Sequence, residues 1–305
     1  MSQSTKKILN FGSLNIDNVY RVDKFVSPGE TKLATDFQRF IGGKGNNQTV
    51  AIARAGGKVC HAGCIGTDGA HILEALQQEN VDISHIKIVD TPTGRATIQV
   101  DDAGENCIIL FGGANQDVTK KDIDSVLSSF TESNLLLLQN EISEVDYLIY
   151  SAKEKGFKVI FNPAPITPGI KNYALDLVDV FIVNQVEGQM LTGAISTEDI
   201  LQGMRKLYPN CVVILTLGQG GAIYQGRTRR IRQDAFKVHA VDSTGAGDTF
   251  LGYFITEILK HDFNTFSDLK DEALKNALEK ACFAASKCVT RLGAASSIPS
   301  VSEIN

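Results

Sequence analysis

The sequence predicts an α/β protein in three layers, with helices on both faces of a mostly parallel central sheet and a small appended β-sheet. Three observations predict it. Short apolar runs of strand length alternate with helix-period segments through most of the chain, and strand followed by helix, repeated, implies parallel strands covered on both sides. Two stretches break that alternation and read as antiparallel strands attached to the main sheet. With 305 residues, 43% of them apolar, the chain can fill one large core, and its 27 glycines suit many tight strand-to-helix turns. No repeat, low-complexity tract or linker divides it, so residues 1–305 read as one domain, with the appended sheet formed from about 18–40 and 93–112.

Taken in order, the apolar run 8–11 opens the sheet, and the irregular stretch 19–40 is the first break. Residues 47–55 have helical period and lead to the apolar strand 58–65, then to a helix over 72–78. The second break is a hairpin, Arg95-Ala-Thr-Ile-Gln-Val100 and Cys107-Ile-Ile-Leu-Phe111 joined by Asp101-Asp-Ala-Gly-Glu105. Beyond it, strands at 135–139, 158–161, 180–183 and 211–217 alternate with helices at 144–155 and 197–207, and a last helix covers 248–259.

Charge and cysteine content exclude several classes. Thirty Lys and Arg against 35 Asp and Glu give a formal charge of −5, which is not the signature of a nucleic-acid or membrane-surface binder. The longest aliphatic run, Leu135 to Leu138, is far short of the ~20 residues that span a bilayer. The polar start Met-Ser-Gln-Ser-Thr-Lys-Lys carries no signal-peptide core, so the expected protein begins near Met1 and is cytoplasmic. Cys60, Cys64, Cys107, Cys211, Cys282 and Cys288 lie in apolar stretches and read as reduced, mostly buried thiols. Cys60-His61-x-x-Cys64 has a spacing that suggests a metal, but in a strand these positions share a face without converging, so it reads as core.

Neither a Walker loop nor a dinucleotide fingerprint occurs. What stands out is Asp242-Ser243-Thr244-Gly245-Ala246-Gly247-Asp248-Thr249-Phe250, after a strand-like 238–241 and before a helical pattern. Strand, glycine turn and helix start make a cradle for a phosphoryl group, because unpaired N–H groups and the helix dipole meet there. The alternative is that Asp248 merely caps the helix.

Three further motifs accompany it: Gly42-Gly43-Lys44-Gly45-Asn46-Asn47-Gln48 opening a helix, Asn162-Pro163-Ala164-Pro165 after a strand, and Asn184-x-x-Glu187 after another. Together they resemble the ribokinase-like sugar kinase family, in order and spacing from Gly12 to Pro299, with the Asp242–Phe250 stretch as the most specific part. The resemblance implies the ribokinase-like three-layer fold and ATP-dependent phosphorylation of a small sugar, D-ribose at its 5-hydroxyl, giving ribose 5-phosphate and ADP. It leaves deoxyribose, a ketohexose or a nucleoside as alternative acceptors, and a catalytically silent sensor as a different class that the retained Asp248 disfavours.

Residue by residue, Asp248 matches the catalytic base, and Gly245, Ala246 and Gly247 match the amides of an anion hole. Phosphoryl transfer passes through a loose transition state, so alignment and charge stabilisation matter more than a strong base. Sugar contacts are implied for Asn15, Asp17, Gly43, Lys44, Gly45, Asn47 and Glu141, with Asp248; several follow strand C-terminal ends, where open α/β sheets bind ligands. Singly these are also a turn pair, a surface lysine and a helix-start acid. For nucleotide, the resemblance implies Asn184, Glu187, Gly247 and the strand and turn Thr216, Gly218 and Gly221, with Glu187 holding water on magnesium. The glycine turn also reads as a hairpin into 222–224. Cys282 stands where the family often carries an Asn or His near the adenine, and Asn46 and Phe111-Gly-Gly-Ala-Asn115 depart from the usual pattern near the sugar. A monovalent cation, potassium, is implied beside the anion hole, with the Asp242 carboxylate, the Ser297 hydroxyl and the carbonyls of Thr244, Cys288, Arg291 and Gly293 as ligands; Asp242 bracing the turn is the alternative. In the appended sheet, expected to form a lid over the sugar, Ala96, Ile98 and Val100 alternate with Thr97 and Gln99, whereas Ile108 to Phe111 are apolar throughout, which points to a homodimer formed through the lid.

Overall fold

The computed structural model describes residues 7–130 and 134–304; the polar start read above lies, but for Lys7, outside them. In chain order, β1 (Ile8–Phe11) is followed by β2 (Asn15–Arg21), β3 (Asp36–Gly42), α1 (Lys44–Arg54) and β4 (Val59–Gly66). Then come α2 (Ala70–Gln78), β5 (Asp82–Val89), β6 (Gly94–Val100), β7 (Asn106–Phe111) and α3 (Lys120–Ser128). The second half holds β8 (Leu135–Gln139), α4 (Val145–Glu154), β9 (Lys158–Asn162), β10 (Val180–Asn184), α5 (Gln185–Thr192), α6 (Thr197–Leu207), β11 (Val212–Thr216), β12 (Ala222–Gln225) and β13 (Arg230–Gln233). Two long helices, α7 (Ala246–Ile258) and α8 (Asp271–Cys288), close the chain.

The main sheet has nine strands in the order β13-β12-β11-β10-β9-β8-β1-β4-β5. It is parallel from β5 to β11 and turns antiparallel only at β12 and β13. Its central strands are buried on both faces, and successive side chains feed opposite layers. Leu135 and Leu137 pack with Phe250, Phe254, Leu274 and Leu278 of α7 and α8. Leu136 and Leu138 pack with Leu127, Leu148, Ile200 and Met204 of α3, α4 and α6. This is the three-layer α/β/α arrangement. Each fully buried leucine contributes about 1.5–3 kcal/mol over an exposed one, so the run from Leu135 to Leu138 anchors both layers.

The strands that break the alternation differ from expectation. They form a separate four-stranded sheet, β3-β2-β6-β7, and its central pair, β2 with β6, is parallel rather than antiparallel. The reason is connectivity: β2 leaves the main sheet after β1 and β6 leaves it after β5, so both run outward in the same direction. The sheet also begins at Asn15, earlier than expected, which puts Asn15 and Asp17 on a lid strand. A second correction concerns residues 238–241, which form no strand. They run as an irregular segment fastened by the Val241 and Asp242 N–H groups to the Val289 carbonyl, at 2.7 and 3.1 Å, where α8 ends. The Cys60-His61-x-x-Cys64 stretch lies in β4 with both thiols in the core. No helix among the described residues is long and apolar enough to cross a membrane.

Candidate active site

The first wall of the site is set by glycines at the start of α1. Gly43 has φ 91° at the N-cap, and a Cβ on Gly45 would collide with the Gly12–Ser13 backbone, so only this sequence lets α1 begin against the β1–β2 turn. The Gly45 N–H donates to the Ser13 hydroxyl at 3.1 Å, and Ser13 donates to Glu141. Glu141, just beyond β8, also accepts the Lys44 N–H at 2.9 Å. On β2, the Asp17 carboxylate lies over Gly42, where any side chain would strike it. Asp17 Oδ1 is buried with no hydrogen-bond partner among the described residues. Burial, reinforced by Glu141, pushes Asp17 up to about 7. Asn15 Oδ1 accepts from Asn115 Nδ2 at 2.7 Å.

The second wall is the N-terminus of α7. Gly245 takes the left-handed conformation, φ 78°, and no side chain caps the helix. The alternative in which Asp248 is only a cap therefore fails: its carboxylate is turned to α1, accepting Asn47 Nδ2 at 3.1 Å and Gln48 Nε2 at 2.9 Å. Open space surrounds the position a Gly247 Cβ would take. Of the Gly245, Ala246 and Gly247 N–H groups, only that of Ala246 donates within the described residues, to the Ser243 carbonyl at 3.3 Å. A helix start that no side chain caps, an open glycine and a buried carboxylate together suit a phosphoryl group meeting a hydroxyl.

Lys44 joins the two walls. Burial disfavours its charge, but Asp248, Glu141 and Glu187 outweigh that and hold it above the ordinary lysine range. Its ammonium makes no hydrogen bond or ion pair with the described residues. Glu187 itself is pushed up, chiefly by burial. It forms a reciprocal cap of α5 with Asn184: the Asn184 N–H donates to Glu187 Oε2 at 2.9 Å and the Glu187 N–H to Asn184 Oδ1 at 2.8 Å. Thr216 pairs with Asn184 in register, and Gly218 opens a short turn into β12 with free space around it. Gly221, at φ 84°, packs against the Gln233–Ala235 backbone, so its lack of a side chain serves the fold. Cys282 sits on α8 among core residues, and burial, then Asp234, pushes its thiol up to about 12.

The pattern of the pfkB family carbohydrate kinases matches residues 5–301. The chain belongs to that family. It is accordingly an ATP-dependent carbohydrate kinase. Among its relatives, ribokinase of Haemophilus influenzae is 36% identical over 98% of this chain and 97% of that protein. Deoxyribokinase of Salmonella typhimurium is 31% identical over 96% of each. The solved structure of Arabidopsis thaliana ribokinase complexed with ribose and ATP superposes with a TM-score of 0.85 at 28% identity, over 98% of this chain and 97% of that one.

In this pfkB kinase the loop before α7 is fastened from both sides. Asp242 Oδ1 accepts the Thr244 N–H at 2.9 Å and its hydroxyl at 2.6 Å, while Oδ2 accepts the Gly293 N–H at 2.9 Å. Cys288 Sγ lies 3.0 Å from Ser297 Oγ and 3.7 Å from the Thr244 carbonyl. Asp242, Thr244, Cys288, Gly293 and Ser297 are thus gathered; Arg291, expected to offer its carbonyl, pairs its side chain with Glu303. The Asp242 carboxylate, the Ser297 hydroxyl and the Thr244 carbonyl are hard oxygen donors of the kind that fit a monovalent cation.

Sequence reasoning missed Ser13, Gln48, Gln139 and Asn115 as members of the site. Gln48 stood inside the quoted Gly42–Gln48 motif, and that was the available signal. Asn115 likewise ended the Phe111–Asn115 stretch noted near the sugar, whereas Ser13 and Gln139 are polar residues beside or in apolar strands, with nothing local to mark them.

Proposed function

We propose that the chain transfers the γ-phosphoryl group of ATP to the 5-hydroxyl of D-ribose, giving ribose 5-phosphate and ADP. The observation that carries this reading is the buried Asp17 Oδ1, without a partner among the described residues. An acceptor left unpaired costs about 1–3 kcal/mol, and vicinal hydroxyls of a sugar are the donors that would satisfy it, with Asn15, Lys44 and Glu141 around them. Relatives named ribokinase, one of them solved with ribose and ATP, support the choice of sugar; the deoxyribokinase relative makes deoxyribose the second reading. Asp248 orients the acceptor hydroxyl and takes its proton, and the amides of Gly245, Ala246 and Gly247 receive the negative charge of the transferring group. Asn184, Glu187, Thr216 and Gly218 line the nucleotide side. Glu187 would hold magnesium through water, and the metal would neutralise phosphate charge. A panel of sugars and nucleosides with ATP, read by ADP release, tests the reading: ribose should give the highest kcat/KM, and a better deoxyribose, ketohexose or nucleoside would replace it.

The Asp242 loop would hold potassium. Because Asp242 grips both Thr244 and Gly293, an ion there would act on the adjoining anion hole through Gly245. Potassium should raise turnover several-fold over sodium or a bulky organic cation at constant chloride, and an activity equal in all three would remove the ion from the reading.

The lid is also proposed as a dimer surface. All of β7 is exposed, with Ile109 65% and Phe111 54% accessible, on a strand whose outer edge pairs with no strand among the described residues. Light scattering should give about twice 33.0 kDa, and Ile109→Lys should shift it toward monomer. A monomer at every concentration, with sugar and nucleotide present, would refute the dimer and leave the kinase reading standing. A kinase using cytosolic ATP fits a cytoplasmic location.

A further inference from the structure

The side chains behind Asp248 form a chain of amides whose orientations are fixed by groups that cannot reverse. A carboxylate in its ionised form only accepts, so Gln48 presents Nε2 to Asp248 Oδ1 at 2.9 Å. The other hydrogen of that amide goes to Asn162 Oδ1 at 3.0 Å. Asn162 cannot turn over, because its Nδ2 donates to the Ile182 carbonyl of β10 at 2.9 Å. Gln48 Oε1 accepts Gln139 Nε2 at 2.6 Å, and Gln139 also donates to Asn10 Oδ1 at 3.0 Å. Asn10 is fixed in turn: its Nδ2 donates to the Gly45 carbonyl of α1 at 2.8 Å and to the Thr49 hydroxyl at 2.7 Å. Thr49 passes its own hydrogen to His61 Nδ1 at 2.7 Å, which leaves the ring proton on Nε2, 3.2 Å from the Gly12 carbonyl. Burial holds His61 down at about 4, so the ring is neutral.

This order has a visible cost. Gln139 Oε1 is buried with no partner among the described residues, and an unpaired buried acceptor costs about 1–3 kcal/mol. Reversing the Gln139 amide would set its oxygen against Gln48 Oε1 and Asn10 Oδ1, both acceptors. The orphan is thus the consequence of keeping the Gln48 N–H aimed at Asp248.

We infer that Gln48 is a positioning residue for the base: main-chain carbonyls of β10 and α1, acting through Asn162, Asn10 and Gln139, aim its N–H at Asp248 Oδ1. Oδ2 is then the oxygen that takes the proton. Its partner Asn47 is held from behind, among the described residues, only by Asn46 Nδ2 at 3.4 Å, so it can yield. As the sugar oxygen bonds to phosphorus and the bond to the ADP oxygen breaks, the hydroxyl proton passes to Oδ2, and the Gln48 hydrogen stays on nitrogen. The inference rests on the reading of Asp248 as the base.

The test compares Gln48→Met, Gln48→Glu and Gln139→Met with the parent and with Asp248→Asn, measuring kcat, sugar KM, ATP Kd and melting temperature. Gln48→Met should lower kcat about 10²-fold with KM and Kd held within about twofold, as misplacement of a catalytic group does. Gln139→Met should lose less, because Asn162 still aims Gln48. Gln48→Glu keeps the shape but replaces the donor with a charged acceptor that repels Asp248, so its kcat should lie below that of Gln48→Met at about pH 8 and recover toward about pH 6, where the protonated carboxyl again carries a donor. The titratable groups facing this position are Asp248, Lys44, Glu141 and Glu187 on the pocket side, Cys288 beyond Asp248, and His61 at the far end; the parent's own pH profile, which carries all of them, is the reference. A kcat near the parent's in Gln48→Met, a loss confined to KM, losses that follow melting temperature alone, or a larger loss in Gln139→Met would each overturn the inference while leaving Asp248 as the base. An active Asp248→Asn would overturn both.

Discussion

Asp248→Asn should lower kcat by about 10²- to 10⁴-fold, the range a positioned general base supplies, while ATP and sugar still bind. The change keeps the side-chain shape and its place at the start of α7, and it preserves an oxygen that can accept the Gln48 N–H. What it removes is the second acceptor oxygen and the charge that receives the hydroxyl proton. Single-turnover rates should fall with kcat, and calorimetric affinities for ATP and sugar should stay within a few-fold. Turnover near that of the parent would end the assignment of Asp248 as the base.

Asp17→Ala should act on the sugar instead. Losing two hydrogen bonds to a charged group, at about 1.5 kcal/mol each, predicts a rise in sugar KM of roughly 10²-fold with ATP affinity spared. Lost ATP binding with sugar binding kept would reverse the pocket map. The same residue predicts a pH dependence. Burial and Glu141 raise Asp17 from 3.8 to about 7 in the fold, so the folded chain holds this proton more tightly than the unfolded one. Its contribution to the stability of the ligand-free protein is therefore complete below about pH 4 and is lost as pH rises through about 7. Hydroxyl donors favour the ionised carboxylate, so sugar KM should fall across the same upper range. Asp17→Asn should flatten both trends; if both persist in that variant, another group is responsible.

Particular residues show how much of this was legible in the sequence. The apolar runs at Ile8–Phe11 and Leu135–Gln139 announced strands because a strand covered on both faces must be apolar on both. The Asp242–Phe250 stretch announced its turn and helix because glycines in that order leave few other backbones. The segment before it misled, since Val238 and Val241 have strand-forming side chains but the segment joins no sheet and is tied, through Val241 and Asp242, to the end of α8. The lid pairing misled as well: alternation in a strand says which face is covered, not which strand lies alongside or in which direction.

The sequence by itself determined the layered α/β class, the family resemblance and the residue types of the site, because these follow from local period, turn chemistry and motif order. Tertiary structure alone decided which groups meet. Asp17 faces Glu141, Asp248 faces Asn47 and Gln48, and Gln139 stands between Asn10 and Gln48 with its amide oxygen unpaired among the described residues. These partners lie far apart along the chain, so their hydrogen-bond directions and shifted acidities exist only once the sheet and α1 have packed, and no local pattern encodes them.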